Sequence, residues 1–326
     1  FPGSDRARIK RIILDVGRPA PRTTPATPTQ NKQTPTSSLI HPTELIRNHP
    51  AFDMLHSFKH EGCPIDYGRD WTEEELEAAV QHGPNPSAAN PEAAAEVIKE
   101  ALEKVEDGCA KLVYWDDLKK SHPANLKISP LAAIPHKSRK FCMILNLAYR
   151  FKLLKKRLPS VNDSTNREDA PAYSMFELGW VIPRIIQTLA KSKKNIPWYM
   201  SKIDLKDGFW RMHVSEIDAY NFASVLPKLN PNEPTRIVIP SKLQMGFCNS
   251  PAFFCAATET IRDVAQKLID NKTELPEHPL EKVCTNNNWE QLPWFKDFPY
   301  ETKMAYLLES YVDDFVSMVQ TTDVND

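Results

Sequence analysis

The sequence lacks four features that would assign it to a simple class of protein. Its 41 Lys and Arg residues nearly balance its 42 Asp and Glu residues, so overall charge indicates neither a nucleic-acid partner nor a membrane partner. No apolar run is long enough to cross a bilayer, and no secretory signal opens the chain. Its six cysteines form no Cys-x-x-Cys pair, which is typical of a reducing compartment. We therefore expect an intracellular protein of the cytoplasm or nucleus that is not secreted.

The beginning of the chain is poor in residues that could form a core. It starts with Phe1 rather than Met, so we expect a fragment or a processed product. The Pro/Thr-rich stretch from Gly17 to Ser38 is too polar to bury and too rich in proline for helix or sheet. Residues 1–40 are therefore predicted to be a disordered tether.

Residues 41–110 carry helix signals. Thr72 and Glu75 form a capping-box signature, and Asn90, which is followed by proline, begins a cleaner helical pattern. Apolar residues then recur on one helical face until Gly108, a typical helix stop. This region is predicted to be a helical N-terminal segment.

From residue 111 onwards short apolar runs alternate with turns, which predicts strands. Two helices interrupt them. One is predicted to begin near Ser174 with a kink at Pro183, and the other begins with Ser250 as its N-cap. The mixture favours an α+β fold over a regular βαβ repeat. The predicted strands lie in the runs KLVYW, KISPLAAIP, KFCMILNLAY, WYMSKIDL and TRIVIPSKL.

Two adjacent carboxylates, Asp313 and Asp314, stand inside the strand-like run LLESYVDDFVSMVQ. They repel each other, and either turn chemistry or a bound divalent cation would account for them. Asp204 ends another predicted strand, WYMSKID. Phosphoryl transfer uses two divalent cations about 4 Å apart, and Mg²⁺ prefers carboxylate oxygens. A strand-end aspartate facing a hairpin that carries two more would supply them.

Four segments resemble the reverse transcriptase domain of retroelements, most closely that of LTR-type retrotransposons. They occur in the family's order between residues 112 and 320, as IPHKSRKFCMILNL, DLKDGF, LQMGFCNSPAFF and YVDD. The resemblance implies that residues 111–326 form the fingers and palm of an α+β right-hand polymerase with a ferredoxin-like palm sheet. It also implies an RNA-directed DNA polymerase that adds deoxynucleoside triphosphates (dNTPs) to a primer 3′-hydroxyl on an RNA or DNA template.

The resemblance assigns roles to individual residues. The expected catalytic residues and ligands of two Mg²⁺ ions, with Mn²⁺ as an alternative, are Asp204, Asp313 and Asp314. The expected dNTP contacts are Lys137, Arg139, the backbone of Leu205, Phe209 and Gly246. The expected nucleic-acid contacts are Tyr311, Lys152 and Lys155. Phe209 would exclude a ribose 2′-hydroxyl, although an ordinary core phenylalanine is an equal interpretation. Other domains of a retroelement polyprotein are implied as partners.

The chain also departs from the family pattern. Cys142 stands where the family has an arginine that grips the triphosphate, a contact worth about 1.5–3 kcal/mol, and Asn146 stands where it has an aspartate. An insertion is expected from Asn271 to Tyr300, and nothing like a thumb occupies the last 12 residues (326 − 314) after Asp314. Cys142, Asn146 and the missing thumb favour the alternative of a degenerate or repurposed fragment that binds nucleic acid or a partner without catalysis, whereas the three intact aspartates favour the enzyme.

A second metal hypothesis concerns zinc. His49, His56, His60 and Cys63 are possible ligands, but their spacing is irregular. Ordinary surface histidines are the favoured interpretation.

Overall fold

The computed structural model describes residues 46–66, 68–136, 140–153, 157–192, 196–271 and 305–320. The predicted tether and nearly all of the predicted insertion lie outside these residues. The described chain divides into two compact units. Unit 1 contains His56–Pro171 and Asp207–Phe253, and unit 2 contains residues 46–55, Ala172–Lys206 and the described residues from Phe254 to 320.

Helices and strands alternate irregularly along the chain. The helices are α1 (Phe52–His60), α2 (Glu73–His82), α3 (Pro86–Ala89), α4 (Pro91–Glu106), α5 (Trp115–Leu118), α6 (Val161–Ser164), α7 (Ala172–Lys191) and α8 (Ser250–Asp270). The strands are β1 (Ala110–Tyr114), β2 (Leu131–Pro135), β3 (Phe141–Leu145), β4 (Trp198–Asp204), β5 (Ser224–Val225), β6 (Arg236–Pro240), β7 (Ala305–Tyr311) and β8 (Asp314–Gln320). None of the helices in the described part of the chain has the length and hydropathy needed to cross a membrane.

Unit 1 is built on two antiparallel sheets. Its strands pair in the order β1-β6-β5, and β2 pairs with β3 as a separate hairpin. Large apolar side chains from helices and strands form its core, including Trp71, Leu76, Leu126, Phe151 and Ile237. Antiparallel sheets with helices packed against them agree with the predicted α+β class.

The helix signals of the N-terminal segment are confirmed. Thr72 and Glu75 form a complete capping box at the start of α2. The Asn90 side chain accepts a hydrogen bond from the backbone N–H of Glu92 at the start of α4, and Gly108, with φ +69°, follows the end of that helix. Helix α4 packs on β1, β2 and β3, so this segment shares the core of unit 1.

Two helices begin within two residues of their predicted starts, but the capping roles expected of Ser174 and Ser250 are wrong. Helix α7 begins at Ala172, so Ser174 lies inside it and is fully buried instead of capping it. The chain enters this helix directly after Pro171, whose fixed φ suits a helix start. Ser250 is the first residue of α8 and not its cap, because its hydroxyl donates to the Gln244 carbonyl oxygen at 2.8 Å. Pro183 lies within α7, which continues to Lys191.

Unit 2 contains an antiparallel sheet in the order β4-β8-β7. In its register Asp204 lies opposite Asp314, and Tyr311 also lies opposite Asp314 from the other side. Helix α8 holds β7 through the Gln266 side chain, which accepts from the Leu308 backbone N–H at 2.9 Å. Phe315 and Met318 of β8 are buried. The sheet thereby fixes the ends of β4, β7 and β8 at one place.

Candidate metal centre

The hairpin between β7 and β8 is a tight turn made by Val312 and Asp313. Val312 has φ +59°, a left-handed conformation that costs a β-branched residue about 1–2 kcal/mol. The Asp313 carbonyl oxygen accepts from the Leu205 backbone N–H at 2.8 Å, which fastens the turn to the residue after Asp204. This bond occupies the Leu205 N–H, so the predicted contact with a triphosphate would have to use another backbone atom.

Asp204, Asp313 and Asp314 come together at this turn. One carboxylate oxygen from each lies within 4.8 Å of the other two. In the described part of the chain, this is the only group of three His, Cys, Asp or Glu side chains with such spacing. The cross-strand register explains the proximity of Asp204 and Asp314, because directly opposed residues point to the same face. Like charges at this distance repel, and a cation bound among them would relieve that repulsion.

Lys202 supplies one positive charge to the cluster. Its Nζ lies 2.7 Å from Asp314 Oδ2, on the diagonal of the β4–β8 pair. The hydrogen bond to Asp314 raises the pKa of Lys202, and the charges of Asp314, Asp204 and Asp313 raise it further. No motif in the sequence predicted a role for Lys202, although its position two residues before Asp204 places it on the same face of β4.

The second carboxylate oxygen of Asp314 has no hydrogen-bond partner. Asp314 Oδ1 is buried, and a buried polar atom of this kind is normally satisfied by hydrogen bonding, water or an ion. Asp204 is exposed on the same face, which leaves the cluster open to solvent on that side. Hard carboxylate oxygens with an unsatisfied acceptor fit a divalent cation such as Mg²⁺.

Side-chain hydrogen bonds connect β7, the first strand of the hairpin, to α7 and α8. The Arg184 guanidinium donates to both carboxylate oxygens of Glu309 at 2.7 and 2.6 Å, and Glu309 is 1% exposed. Arg184 also donates to Glu177 at 2.9 Å. One residue before Tyr311, the Ser310 hydroxyl donates to Glu259 of α8 at 2.9 Å. Burial raises the pKa of the Glu259 carboxyl. These contacts connect β7 to α7 and α8.

Two of the predicted dNTP contacts lie in unit 1. Phe209 is the half-buried first residue of the 3₁₀ turn Phe209–Arg211. Gly246 has φ +103°, and a Cβ atom there would lie 2.4 Å from the Leu145 carbonyl oxygen. Its own carbonyl oxygen accepts from Asn162 Nδ2 at 2.8 Å. A side chain at position 246 is therefore excluded by both conformation and space.

The remaining predicted contacts are on the surface or outside the described residues. Tyr311 is 52% exposed at the end of β7, and Lys152 is exposed. Lys137, Arg139 and Lys155 lie outside the described residues.

The two departures from the family pattern lie on and beside β3. Cys142 lies opposite Ile134 in the β2–β3 hairpin, and the Asn146 backbone N–H donates to the Pro130 carbonyl oxygen at 3.0 Å. Cys142 therefore supplies no positive charge at the position where the resemblance predicts an arginine, and Asn146 supplies no negative charge where it predicts an aspartate.

The possible zinc ligands His49, His56, His60 and Cys63 do not form a three-ligand group in the described residues, where only the aspartate cluster has that spacing. The rings of His56 and His60 contact each other on α1, with centroids 4.3 Å apart and planes tilted by 45°. Cys63 is fully buried, and burial raises the pKa of its thiol to about 12, which disfavours the thiolate that zinc requires.

Comparison with known proteins agrees with this geometry. No curated protein is significantly similar to the chain. A family model described as "Reverse transcriptase (RNA-dependent DNA polymerase)" matches residues 132–323, which is more than half of the 326 residues and includes all three aspartates. The chain therefore belongs to the reverse transcriptase family.

Proposed function

We propose that this chain is the fingers and palm of the RNA-directed DNA polymerase of an LTR-type retrotransposon. In this proposal the β2–β3 hairpin belongs to the fingers, and the β4-β8-β7 sheet belongs to a ferredoxin-like palm. The observation that carries the proposal is the meeting of Asp204, Asp313 and Asp314 within 4.8 Å. These residues are proposed to hold two Mg²⁺ ions, or Mn²⁺ in their place.

The reaction extends a primer by one deoxynucleotide. The primer 3′-oxygen forms a bond to the α-phosphorus of the dNTP while the bond to the leaving pyrophosphate oxygen breaks. The bound cations would stabilise the attacking and leaving oxygens. No side-chain nucleophile is needed, so the protein contributes orientation and electrostatics. The three carboxylates concentrate negative charge where the cations would bind. The hydrogen bond from the Leu205 N–H to the Asp313 carbonyl oxygen keeps the end of β4 aligned with the turn.

The other family contacts are proposed to bind nucleotide and nucleic acid. Phe209 would lie under the sugar and exclude a ribose 2′-hydroxyl, and Gly246 would allow close approach of the backbone to the nucleotide. The proposed phosphate and nucleic-acid contacts are Lys137, Arg139, Lys152, Lys155 and Tyr311. The proposed partners are an RNA or DNA template with its primer, dNTPs and other domains of a polyprotein.

Primer extension tests the proposal. The full 326-residue chain is incubated with a labelled primer on RNA and DNA templates, dNTPs and Mg²⁺. We expect extension by the wild type and by Asp116→Asn, a matched control on an exposed aspartate of α5, but none by Asp313→Asn. Equal extension by the wild type and Asp313→Asn would contradict the assignment. Template binding without any extension would instead favour a non-catalytic nucleic-acid-binding domain, in keeping with Cys142.

A further inference from the structure

The end of α4 holds the turn that follows β4 in the chain. Lys104, in the last turn of α4, is only 8% exposed. Its Nζ lies 3.0 Å from Asp207 Oδ2 and 5.0 Å from the ring centroid of Trp210, so that it forms an ion pair and a cation–π contact at once. Asp207 and Trp210 flank Phe209, the residue proposed to select the sugar.

The backbone of this turn has a conformation that such a contact can stabilise. Asp207 has φ +57°, a left-handed conformation that aspartate adopts more readily than most residues other than glycine, and the 3₁₀ turn starts two residues later at Phe209. Residues in strained conformations persist where surrounding contacts hold them, and they concentrate at functional sites. The ion pair with Lys104 is such a contact, because it fixes the Asp207 side chain and with it the entry to the turn.

The same helix also contacts the strand proposed to belong to the fingers. Glu100 lies one helical turn before Lys104, and its Oε2 accepts from the Met143 backbone N–H of β3 at 2.9 Å. Side chains four residues apart share one face of a helix. One face of α4 thus bonds to β3 through Glu100 and to the Phe209 turn through Lys104.

We propose that Lys104 is a positioning residue for nucleotide selection, which acts through Asp207 and Trp210 to hold the Phe209 ring in place. The inference rests on the proposed polymerase function. It assigns part of the discrimination between deoxyribonucleotides and ribonucleotides to the N-terminal helical segment, a region that the family match at residues 132–323 does not cover.

Single-nucleotide incorporation by the full chain tests this role. The kcat and KM are measured for one dNTP and for the matching ribonucleotide. The variants are Lys104→Met, Lys104→Arg, Asp207→Asn, the double variant Lys104→Met/Asp207→Asn, and Lys99→Met as a control on an exposed lysine of the same helix. Asparagine tolerates the left-handed conformation of Asp207, so that change removes the charge alone.

We expect Lys104→Met and Asp207→Asn each to raise the KM for the dNTP and to reduce discrimination against the ribonucleotide by roughly tenfold, a change of about 1.4 kcal/mol. The double variant should be no worse than either single variant, because both changes break the same contact. Lys104→Arg should recover most of the discrimination, and Lys99→Met should match the wild type. If Lys104 had a purely structural role, its substitution would lower the fraction of active protein. The ratio of kcat/KM for the dNTP to kcat/KM for the ribonucleotide would then stay unchanged.

Two results would overturn the inference, and they are distinguishable. An active wild type, with unchanged discrimination in both Lys104→Met and Asp207→Asn, would refute the role of Lys104 and leave the polymerase function intact. A wild type that extends no primer with Mg²⁺ or Mn²⁺ would refute the proposed function, and the inference would fail with it. Should Lys104→Met not fold by circular dichroism, Asp207→Asn decides the question.

Discussion

Asp313→Asn should stabilise the metal-free protein. One carboxylate oxygen from each of Asp204, Asp313 and Asp314 lies within 4.8 Å of the other two. At that separation two unit charges repel by about 0.9 kcal/mol in the dielectric of water, which suits an exposed site. Asparagine at position 313 removes two of the three repulsive pairs, a relief of about 1.7 kcal/mol by the same relation. Weaker attraction to Lys202 offsets part of it, so we expect a net gain of about 1 kcal/mol.

Urea denaturation at low ionic strength measures this gain. The free energy of unfolding is determined for the wild type, Asp313→Asn and the control Asp116→Asn, first with a chelator and then with Mg²⁺. With the chelator we expect Asp313→Asn to be the most stable of the three. A cation that binds only the folded wild type adds about 2.7 kcal/mol at one hundred times its dissociation constant. With saturating Mg²⁺ the wild type should therefore become more stable than Asp313→Asn.

The critical result is that the order of stability of the wild type and Asp313→Asn reverses between the chelator and Mg²⁺. The reasoning is refuted if Asp313→Asn is less stable than the wild type with the chelator, or if Mg²⁺ stabilises both proteins equally. A salt titration adds a check, because screening should reduce the gain of the variant without metal.

Three further changes test other parts of the structure by urea denaturation. Val312→Asn should stabilise the hairpin by about 1 kcal/mol, because asparagine tolerates the left-handed conformation better than valine, and an unchanged stability would contradict this. Arg184→Met leaves the buried Glu309 carboxylate unpaired and should cost about 3 kcal/mol, of which Glu309→Gln in the same chain should restore a part. Burial lowers the pKa of Lys127 to about 8, below its usual value of 10.5, so the unfolded chain binds more protons between these values and the wild type should gain stability as pH rises through that window. Lys127→Met should flatten that rise.

The meeting of the aspartates could be predicted, but their support could not. Asp204 at a strand end and the Asp313–Asp314 doublet in a hairpin are local patterns, and their chemistry requires proximity. The position of Lys202 beside the cluster could also have been predicted from the sequence, because strand alternation puts it on the same face as Asp204. Arg184 and Glu309 are 125 residues apart, and nothing in either local sequence specifies the pairing that the fold creates.

Helix signals show the same division between local and long-range information. The capping box at Thr72 was recognisable because its partners lie within three residues. Ser174 and Ser250 have equally suitable side chains for a cap, but tertiary packing buried the first and turned the second towards the Gln244 carbonyl oxygen. The ion pair between Lys104 and Asp207 joins residues 103 positions apart, so no local pattern in the sequence could predict it.

Lys202 also has a consequence for handling the protein. Strand β4 lies at one edge of the sheet formed by the described residues, and Tyr199, Met200 and Ile203 on it are 60–65% exposed. Such an edge can recruit a strand from another molecule, and a lysine among the apolar residues is a common deterrent. Substituting Lys202 to probe cation affinity would therefore also promote self-association, so the oligomeric state of such variants must be measured before their kinetics are interpreted.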